Sequence, residues 1–223
     1  MKIEFIDLED WEKDYIRQNL KGKQFLFVDD KLTKETAAKA KDCDAAAAFI
    51  YSKVYEAVIR RLPKLKFITT MSTGYDHIDM AAAKKRKIVV SNVPTYGENT
   101  VAEHTFALIL ALSRKIVDSA DRTRKGDFTL DGLRGFDLKG KTVGVIGTGH
   151  IGMHVIRIAK GFEMNVIAFD VKKDAAAAKR VGFRYVDFNT LLKSSDIITL
   201  HCPYNKATRH LINSSNIGKL KKG

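Results

Sequence analysis

Residues 143–152 read Val143-Gly144-Val145-Ile146-Gly147-Thr148-Gly149-His150-Ile151-Gly152. A β-branched apolar run enters a G-x-G-x-x-G pattern at Gly147, Gly149 and Gly152, and an amphipathic stretch, His150–Phe162, leaves it. In a strand–turn–helix unit each glycine has its own task. The first permits the tight turn, the second lets a pyrophosphate approach the backbone, and the third lets the helix close on the strand. The free N–H groups of the helix N-terminus then face the anion. The next apolar run ends at Asp170, 18 residues beyond Gly152, where a carboxylate accepts hydrogen bonds from an adenosine ribose. The segment predicts a dinucleotide-binding unit. Asp170 repels a 2′-phosphate and so favours NAD over NADP, a preference that Lys172 and Lys173 weaken.

On the C-terminal side the alternation continues. Strands are expected at Thr142–Ile146, Asn165–Asp170, Phe183–Tyr185 and Ile197–His201, helices at His150–Phe162, Ala175–Val181 and Asn189–Lys193, and a short last helix near Ser214–Leu220. On the N-terminal side a first block places strands at Lys2–Ile6, Gln24–Val28, Ala45–Ile50, Phe67–Thr70 and Ile88–Ser91. Helices fall between them at Glu9–Leu20, Lys34–Lys41, Val54–Arg61 and Met80–Lys87. Such alternation implies α/β architecture with parallel sheets covered on both faces. Between the blocks, Asn99 offers an N-cap to an apolar helix over Val101–Ser113, a type that is normally buried, and Arg122–Asp137, with its three glycines, reads as an irregular connection. The tetrads Ala45–Ala48 and Ala175–Ala178 fall in a strand and a helix, so they are not a repeat.

The composition excludes several classes. A 45% hydrophobic content over 223 residues supports one large core or two modest ones and argues against disorder. Two cysteines, Cys43 and Cys202, make neither a disulfide framework nor a zinc motif, so no metal is expected and a reducing, cytoplasmic setting is. The acidic N-terminus is no signal peptide, and no apolar run approaches the ~20 residues that span a bilayer. The formal charge of +13 would suit a nucleic-acid binder, but the basic residues are scattered. The run Lys84-Lys85-Arg86-Lys87 reads as the end of a helix, where cations favour the dipole. Neither nucleic acid nor membrane is expected as a partner.

Further segments resemble the D-isomer-specific 2-hydroxyacid dehydrogenase family, in particular its D-lactate branch. Ser72-Thr73-Gly74-Tyr75-Asp76-His77-Ile78-Asp79 resembles the family's turn over the substrate carboxylate. Asn92-Val93-Pro94-Thr95-Tyr96-Gly97 and Val101-Ala102-Glu103-His104-Thr105 resemble the entry to its interdomain helix. The His150-Ile151 pair is typical of the D-lactate branch, and Ser195–Pro203 resembles the strand and loop bordering the cofactor. The resemblance implies a flavodoxin-like parallel-sheet substrate domain over residues 1–98, a helix and connection over 99–125, and an incomplete Rossmann NAD-binding domain over 126–223. It implies that the N–H groups of Thr73 and Gly74 hold a 2-oxo acid carboxylate in a turn that needs a residue without Cβ, and that Tyr51 and Tyr96 line the cavity. His150 and Ile151 would lie on the pyrophosphate, Asp170 on the ribose, and Cys202, Pro203 and Thr208 in the loop beside the cofactor. The apolar helix would also contribute to a homodimer.

Hydride transfer to a 2-oxo acid also needs a cation for the carboxylate, a proton donor, and a carboxylate behind the donor. In this family an Arg, a His and a Glu take these parts, and the resemblance places all three beyond Gly223. Four strands in the second block, against about six in a doubly wound domain, likewise read as a C-terminally truncated unit. Of the histidines present, His104 is expected to be structural in its buried helix, His77 a loop residue, His154 an exposed helix residue and His210 local packing. His201, beside the cofactor loop, is the one plausible stand-in, but it has no visible carboxylate partner. No catalytic residue is therefore assigned, and the chain is expected to be inactive. The expected function is NAD-dependent interconversion of a pyruvate-like 2-oxo acid and a D-2-hydroxy acid. The alternatives are a non-catalytic NAD(H)-binding regulatory module, or a relative acting on glyoxylate or hydroxypyruvate.

Overall fold

The computed structural model describes residues 1–222. They divide into two compact units, Met1–Tyr96 and a second from Gly97 onward. The first unit runs β1 (Lys2–Ile6), α1 (Asp10–Asn19), β2 (Gln24–Val28), a 3-10 turn (Ala37–Ala40), β3 (Ala45–Ala48), α2 (Glu56–Ile59), β4 (Phe67–Thr70), α3 (Met80–Lys85) and β5 (Val89–Ser91). Its five strands are all parallel, in the order β2-β1-β3-β4-β5, which is the flavodoxin-like winding. The first alanine tetrad is β3, the middle strand, and all four residues are buried. Small side chains there let Ile6, Val54, Ile59, Leu62 and Ile68 close into one core.

Two expected helices shorten, for reasons visible in the hydrogen bonding. Over Lys34–Lys41 only the 3-10 turn forms, because Thr33 and Thr36 turn their hydroxyls on the local backbone: the Thr33 N–H donates to Thr36 Oγ1 at 2.9 Å and the Glu35 N–H to Thr33 Oγ1 at 3.2 Å. Val54 cannot start a helix because it bridges to Ile78; its N–H donates to His77 O at 2.9 Å and its carbonyl accepts from Asp79 N at 3.1 Å. Arg86, from the basic run, satisfies carbonyls at and beyond the end of α2, donating to Ile59 O, to Leu62 O at 3.1 Å and to Pro63 O at 3.0 Å.

The second unit runs α4 (Glu98–Ser113), α5 (Ile116–Arg124), β6 (Thr142–Ile146), α6 (His150–Gly161), β7 (Asn165–Phe169), α7 (Ala175–Val181), β8 (Arg184–Tyr185), α8 (Phe188–Ser194), β9 (Ile197–Leu200) and a 3-10 turn (Ile217–Lys219). The four strands are parallel in the order β8-β7-β6-β9, the leading part of the Rossmann order. Asp174 and Asp187 cap α7 and α8 by accepting from the N–H of Ala177 at 2.9 Å and of Thr190 at 3.0 Å, and Gly182 ends α7 at φ +84°.

Three expectations about the segment after Tyr96 need correction. Helix α4 starts at Glu98 with Gly97 as its cap, and Asn99 donates instead to Glu103 Oε1 at 3.3 Å. Helix α5 was not foreseen and overlaps the start of the stretch read as irregular. Helix α4 is not buried all round. Ala102 and Phe106 pack on α6, where Phe106 stacks on Phe162 at 5.4 Å, while Leu108 and Leu112 are 55% and 75% exposed and His104 is exposed too.

His77, expected as a loop residue, is buried. Its Nε2 lies 3.1 Å from Thr70 Oγ1, Thr70 Oγ1 lies 2.5 Å from Ser72 Oγ, and Ser72 Oγ donates to Gly74 O at 2.7 Å. Because the last bond fixes the Ser72 proton, Thr70 donates to Ser72 and His77 donates to Thr70. Burial pushes the His77 imidazole below its ordinary range, against the weaker pull of Asp76. Its neutral form is the one the fold accepts, so the unfolded chain binds the extra proton. The associated stability is complete above about pH 6.5 and is lost as pH falls from there toward the folded pKa, at up to about 1.4 kcal/mol per pH unit. The melting temperature should therefore fall between pH 7 and 5, and H77N should flatten that fall. A parallel decline in both proteins would remove His77 from the account.

The glycines divide by what surrounds them. A Cβ on Gly147, whose φ is +93°, would stand 2.6 Å from His201 O, and one on Gly152 would stand 2.0 Å from Gly147 O, whereas one on Gly149 would meet nothing within 4 Å. G152A should therefore cost on the order of 3 kcal/mol through forced displacement of α6, while G149A should shift stability by less than about 0.5 kcal/mol. Denaturant titration of the two variants checks both, and equal costs would refute the division.

Candidate functional site

The turn from β6 to α6 opens on a cleft of about 840 Å³ whose walls include Thr148, Gly149, His150, Arg157, Asp170 and Lys172. The backbone makes this opening. Gly147 bends the chain under the backbone of His201 and Cys202, and Gly152 seats α6 against that bend. Gly149 caps the helix without a side-chain hydrogen bond, at the positive end of the helix dipole. The volume a Cβ would fill at Gly149 is vacant, and a diphosphate fits there against exposed backbone amides.

Asp170 lines the same cleft, directly after β7. Its Oδ2 accepts from the Thr148 N–H at 2.7 Å and from Thr148 Oγ1 at 3.1 Å, and its Oδ1 accepts from the Lys172 N–H at 2.8 Å. Burial pushes this carboxyl upward, but the hydrogen bonds from Thr148, Lys172 and Val171 outweigh it and hold the group below the ordinary carboxylate range. Asp170 is therefore an oriented anion that can still accept from ligand hydroxyls. Thr148 and its neighbour Tyr185, whose hydroxyl lies 2.9 Å from Thr148 Oγ1, were not singled out from sequence. The middle position of G-x-G carries no required residue type, and Tyr185 lies 37 positions away.

Other expected site residues are placed as follows. His150 is exposed, with Nδ1 3.3 Å from Glu98 Oε1, and His154 is half-exposed, with Nε2 3.9 Å from Glu98 Oε2. Ile151 is partly buried in the first turn of α6. Cys202 adjoins the bend through its backbone and packs its side chain beside Ile146. Pro203 and Thr208 close their own loop, Thr208 Oγ1 donating to Pro203 O and accepting from Asn205 N at 2.9 Å. His201 Nε2 is 2.9 Å from Thr199 Oγ1, and burial holds its imidazole below its usual range with no carboxylate partner among the described residues.

In the first unit, Thr73 is tied down on both sides. Its hydroxyl donates to Val93 O at 3.1 Å and its carbonyl accepts from Asn92 Nδ2 at 2.8 Å. A Cβ on Gly74 would meet only Asp76 Oδ1, at 3.3 Å. That contact is tight, and the neighbour it presses on is the side-chain oxygen of Asp76. Tyr51 is 58% exposed, with Lys31 Nζ 5.0 Å from its ring centroid, and lines a separate open cleft of about 480 Å³ with Glu9, Trp11 and Met71. Thr73, Gly74 and Tyr96 are not among the walls of that cleft. Among the described residues, no three His, Cys, Asp or Glu side chains could share a metal ion, and no helix is long and apolar enough to cross a membrane.

Comparison with known proteins agrees with this geometry. The family described as D-isomer specific 2-hydroxyacid dehydrogenase, NAD binding domain, matches residues 106–223. A 2-hydroxyacid dehydrogenase homolog of Zymomonas mobilis is 40% identical over 91% of this chain and 62% of that protein, and the D-lactate dehydrogenase of Escherichia coli is 38% identical over 100% and 69%. The crystal structure of D-lactate dehydrogenase from Aquifex aeolicus, complexed with NAD and lactic acid, superposes with a TM-score of 0.93 at 36% identity, covering 99% of this chain and 66% of that one. The chain thus spans about two thirds of the length of such relatives. With its open phosphate turn, its oriented Asp170 and these similarities, the chain belongs to the D-isomer-specific 2-hydroxyacid dehydrogenase family and carries NAD-binding structure of that family.

Proposed function

We propose that the protein takes part in reversible hydride transfer between NAD(H) and a pyruvate-like 2-oxo acid, giving the D-2-hydroxy acid. The observation that carries this reading is the cleft itself, in which an open glycine amide at the head of α6 stands beside an aspartate held anionic at the end of β7. NAD, when bound, supplies the hydride-carrying ring. In this reading Gly149, His150 and Ile151 receive its diphosphate, Asp170 takes the adenosine ribose hydroxyls, and the loop of Cys202, Pro203 and Thr208 borders the rest. In the first unit, the Thr73 and Gly74 amides take the substrate carboxylate, with Tyr51 and Tyr96 on the cavity wall. The division into a substrate unit over 1–98, a helix and connection over 99–125 and a cofactor unit over 126–223 belongs to the same reading, as does a cytoplasmic location.

In this reading the residues of the chain bind and orient: the described histidines paired with a carboxylate, His150 and His154 on Glu98, stand at the phosphate turn and not at the substrate. His201 is bonded to a threonine and its imidazole is pushed toward the neutral form by burial, with no carboxylate behind it among the described residues. The expected result is therefore NADH binding without pyruvate reduction. Titrating the nicotinamide fluorescence of NADH with the chain should show saturation that G149A weakens by about tenfold or more, with melting unchanged. Pyruvate-dependent NADH oxidation by the same preparation would refute the inactivity, and failure to bind NADH would refute the assignment of the cleft.

The exposed apolar stripe of Leu108, Leu112, Ile116 and Val117 on α4 and α5 supports a homodimer through that face. Sedimentation should give twice the monomer mass, and L112E should shift it toward the monomer. A monomeric wild-type chain would rule the dimer out.

A further inference from the structure

We infer that Tyr185 and Thr148 form a positioning relay that sets the orientation of the Asp170 carboxylate and, through it, the preference for NADH over NADPH. The inference rests on the reading of Asp170 as the ribose ligand. The hydroxyl of Tyr185 lies between two partners: the Asp174 N–H donates to it at 3.2 Å, and Thr148 Oγ1 lies 2.9 Å away. Thr148 Oγ1 in turn lies 3.1 Å from Asp170 Oδ2. A carboxylate can only accept and a backbone N–H can only donate. One arrangement of the two hydroxyl protons satisfies all three contacts. Asp174 N–H donates to Tyr185, the phenol proton goes to Thr148 Oγ1, and the threonine proton goes to Asp170 Oδ2.

This arrangement has consequences at the cleft. The Thr148 hydroxyl cannot rotate away from Asp170 without breaking its bond from Tyr185, so Oδ2 keeps two donors, the hydroxyl and the Thr148 N–H, while the Lys172 N–H holds Oδ1. The carboxylate plane is thereby fixed from both ends. The unused lone pairs are left for vicinal hydroxyls, and the charge stands where a 2′-phosphate would have to sit. Tyr185 is itself fixed, pairing through β8 with Ala168 and meeting Phe183 edge-on at 5.2 Å. The relay thus ties the anion to the sheet through the pairing of β8 with β7.

The test uses the full chain, with NADH and NADPH as separate probes followed by nicotinamide fluorescence. Y185F should weaken NADH binding by about 3- to 10-fold and NADPH binding by less than about twofold, narrowing the discrimination. T148V should do the same and should raise the pH below which NADH binding fails, and T148S should restore wild-type behaviour. On a D170N background, Y185F should cause no further loss, because the group it orients no longer carries charge. Equal weakening of both cofactors, an undiminished loss on D170N, or no change in NADH binding would each overturn the relay. If the unaltered chain bound neither cofactor, the reading of the cleft would fail, and the relay with it. If Y185F does not fold, T148V and T148S decide the matter alone.

Discussion

The second unit depends on one close approach of backbone to backbone. The ends of β6 and β9 meet at Gly147, where a Cβ would overlap the carbonyl of His201, and α6 is drawn in until Gly152 touches the carbonyl of Gly147. No side chain mediates either contact. Their strength lies in exclusion, since larger residues would force the strand ends and the helix apart. The turn is therefore held rigid from below and behind while its upper surface, at Gly149, stays bare. A surface of that kind suits a charged, flat ligand that must approach the main chain closely.

Charge then sorts what may enter. The net +13 is spread over the molecule, and its effect at the cleft comes from local placement. Arg157, Lys172 and Lys173 lie along the walls, so an anion approaching the bare turn is attracted. Asp170 and Asp174 oppose them within the same lining, and the hydrogen bonds to Asp170 keep it ionised where burial alone would favour protonation. In the proposed reading a phosphate is thus welcome at the helix terminus and unwelcome beside Asp170. This contrast within one cleft is what a dinucleotide with a free 2′-hydroxyl requires.

Much of the fold was legible because its signals are local. Strand–helix alternation placed all nine strands to within one or two residues, and Asp174 and Asp187 mark helix starts by side-chain chemistry alone. Misses arise where distant partners decide. Val54 reads as helix until its bridge to Ile78 is known. Helix α5 carries only weak local signals: Ile116, Val117 and Ala120 are spaced to share a helix face and Arg122 and Arg124 sit in its last turn, but glycines follow at once. Helix α4 reads as buried because its composition is apolar, yet composition cannot say how much of the covering partner a given chain supplies. The close packing at Gly147 and Gly152 was legible from the glycine spacing, whereas the contact of Gly74 with Asp76 Oδ1 carries no signal in the spacing.

The two proposed ligand turns share a plan that no motif displays. In each, a short loop presents backbone toward solvent, while a file of hydroxyl groups behind it runs to a titratable side chain. His77, Thr70 and Ser72 terminate on the carbonyl of Gly74; Tyr185 and Thr148 terminate on Asp170. In both files a fixed end determines every proton in between, so hydroxyls that would otherwise rotate acquire one direction. Such a file transmits position from a sheet to a loop, and its members need only be hydroxyl-bearing and correctly spaced in three dimensions. Substitutions in them can alter ligand preference while leaving each glycine pattern intact. A sequence motif therefore identifies the kind of ligand a turn receives more readily than it identifies how strictly the turn discriminates.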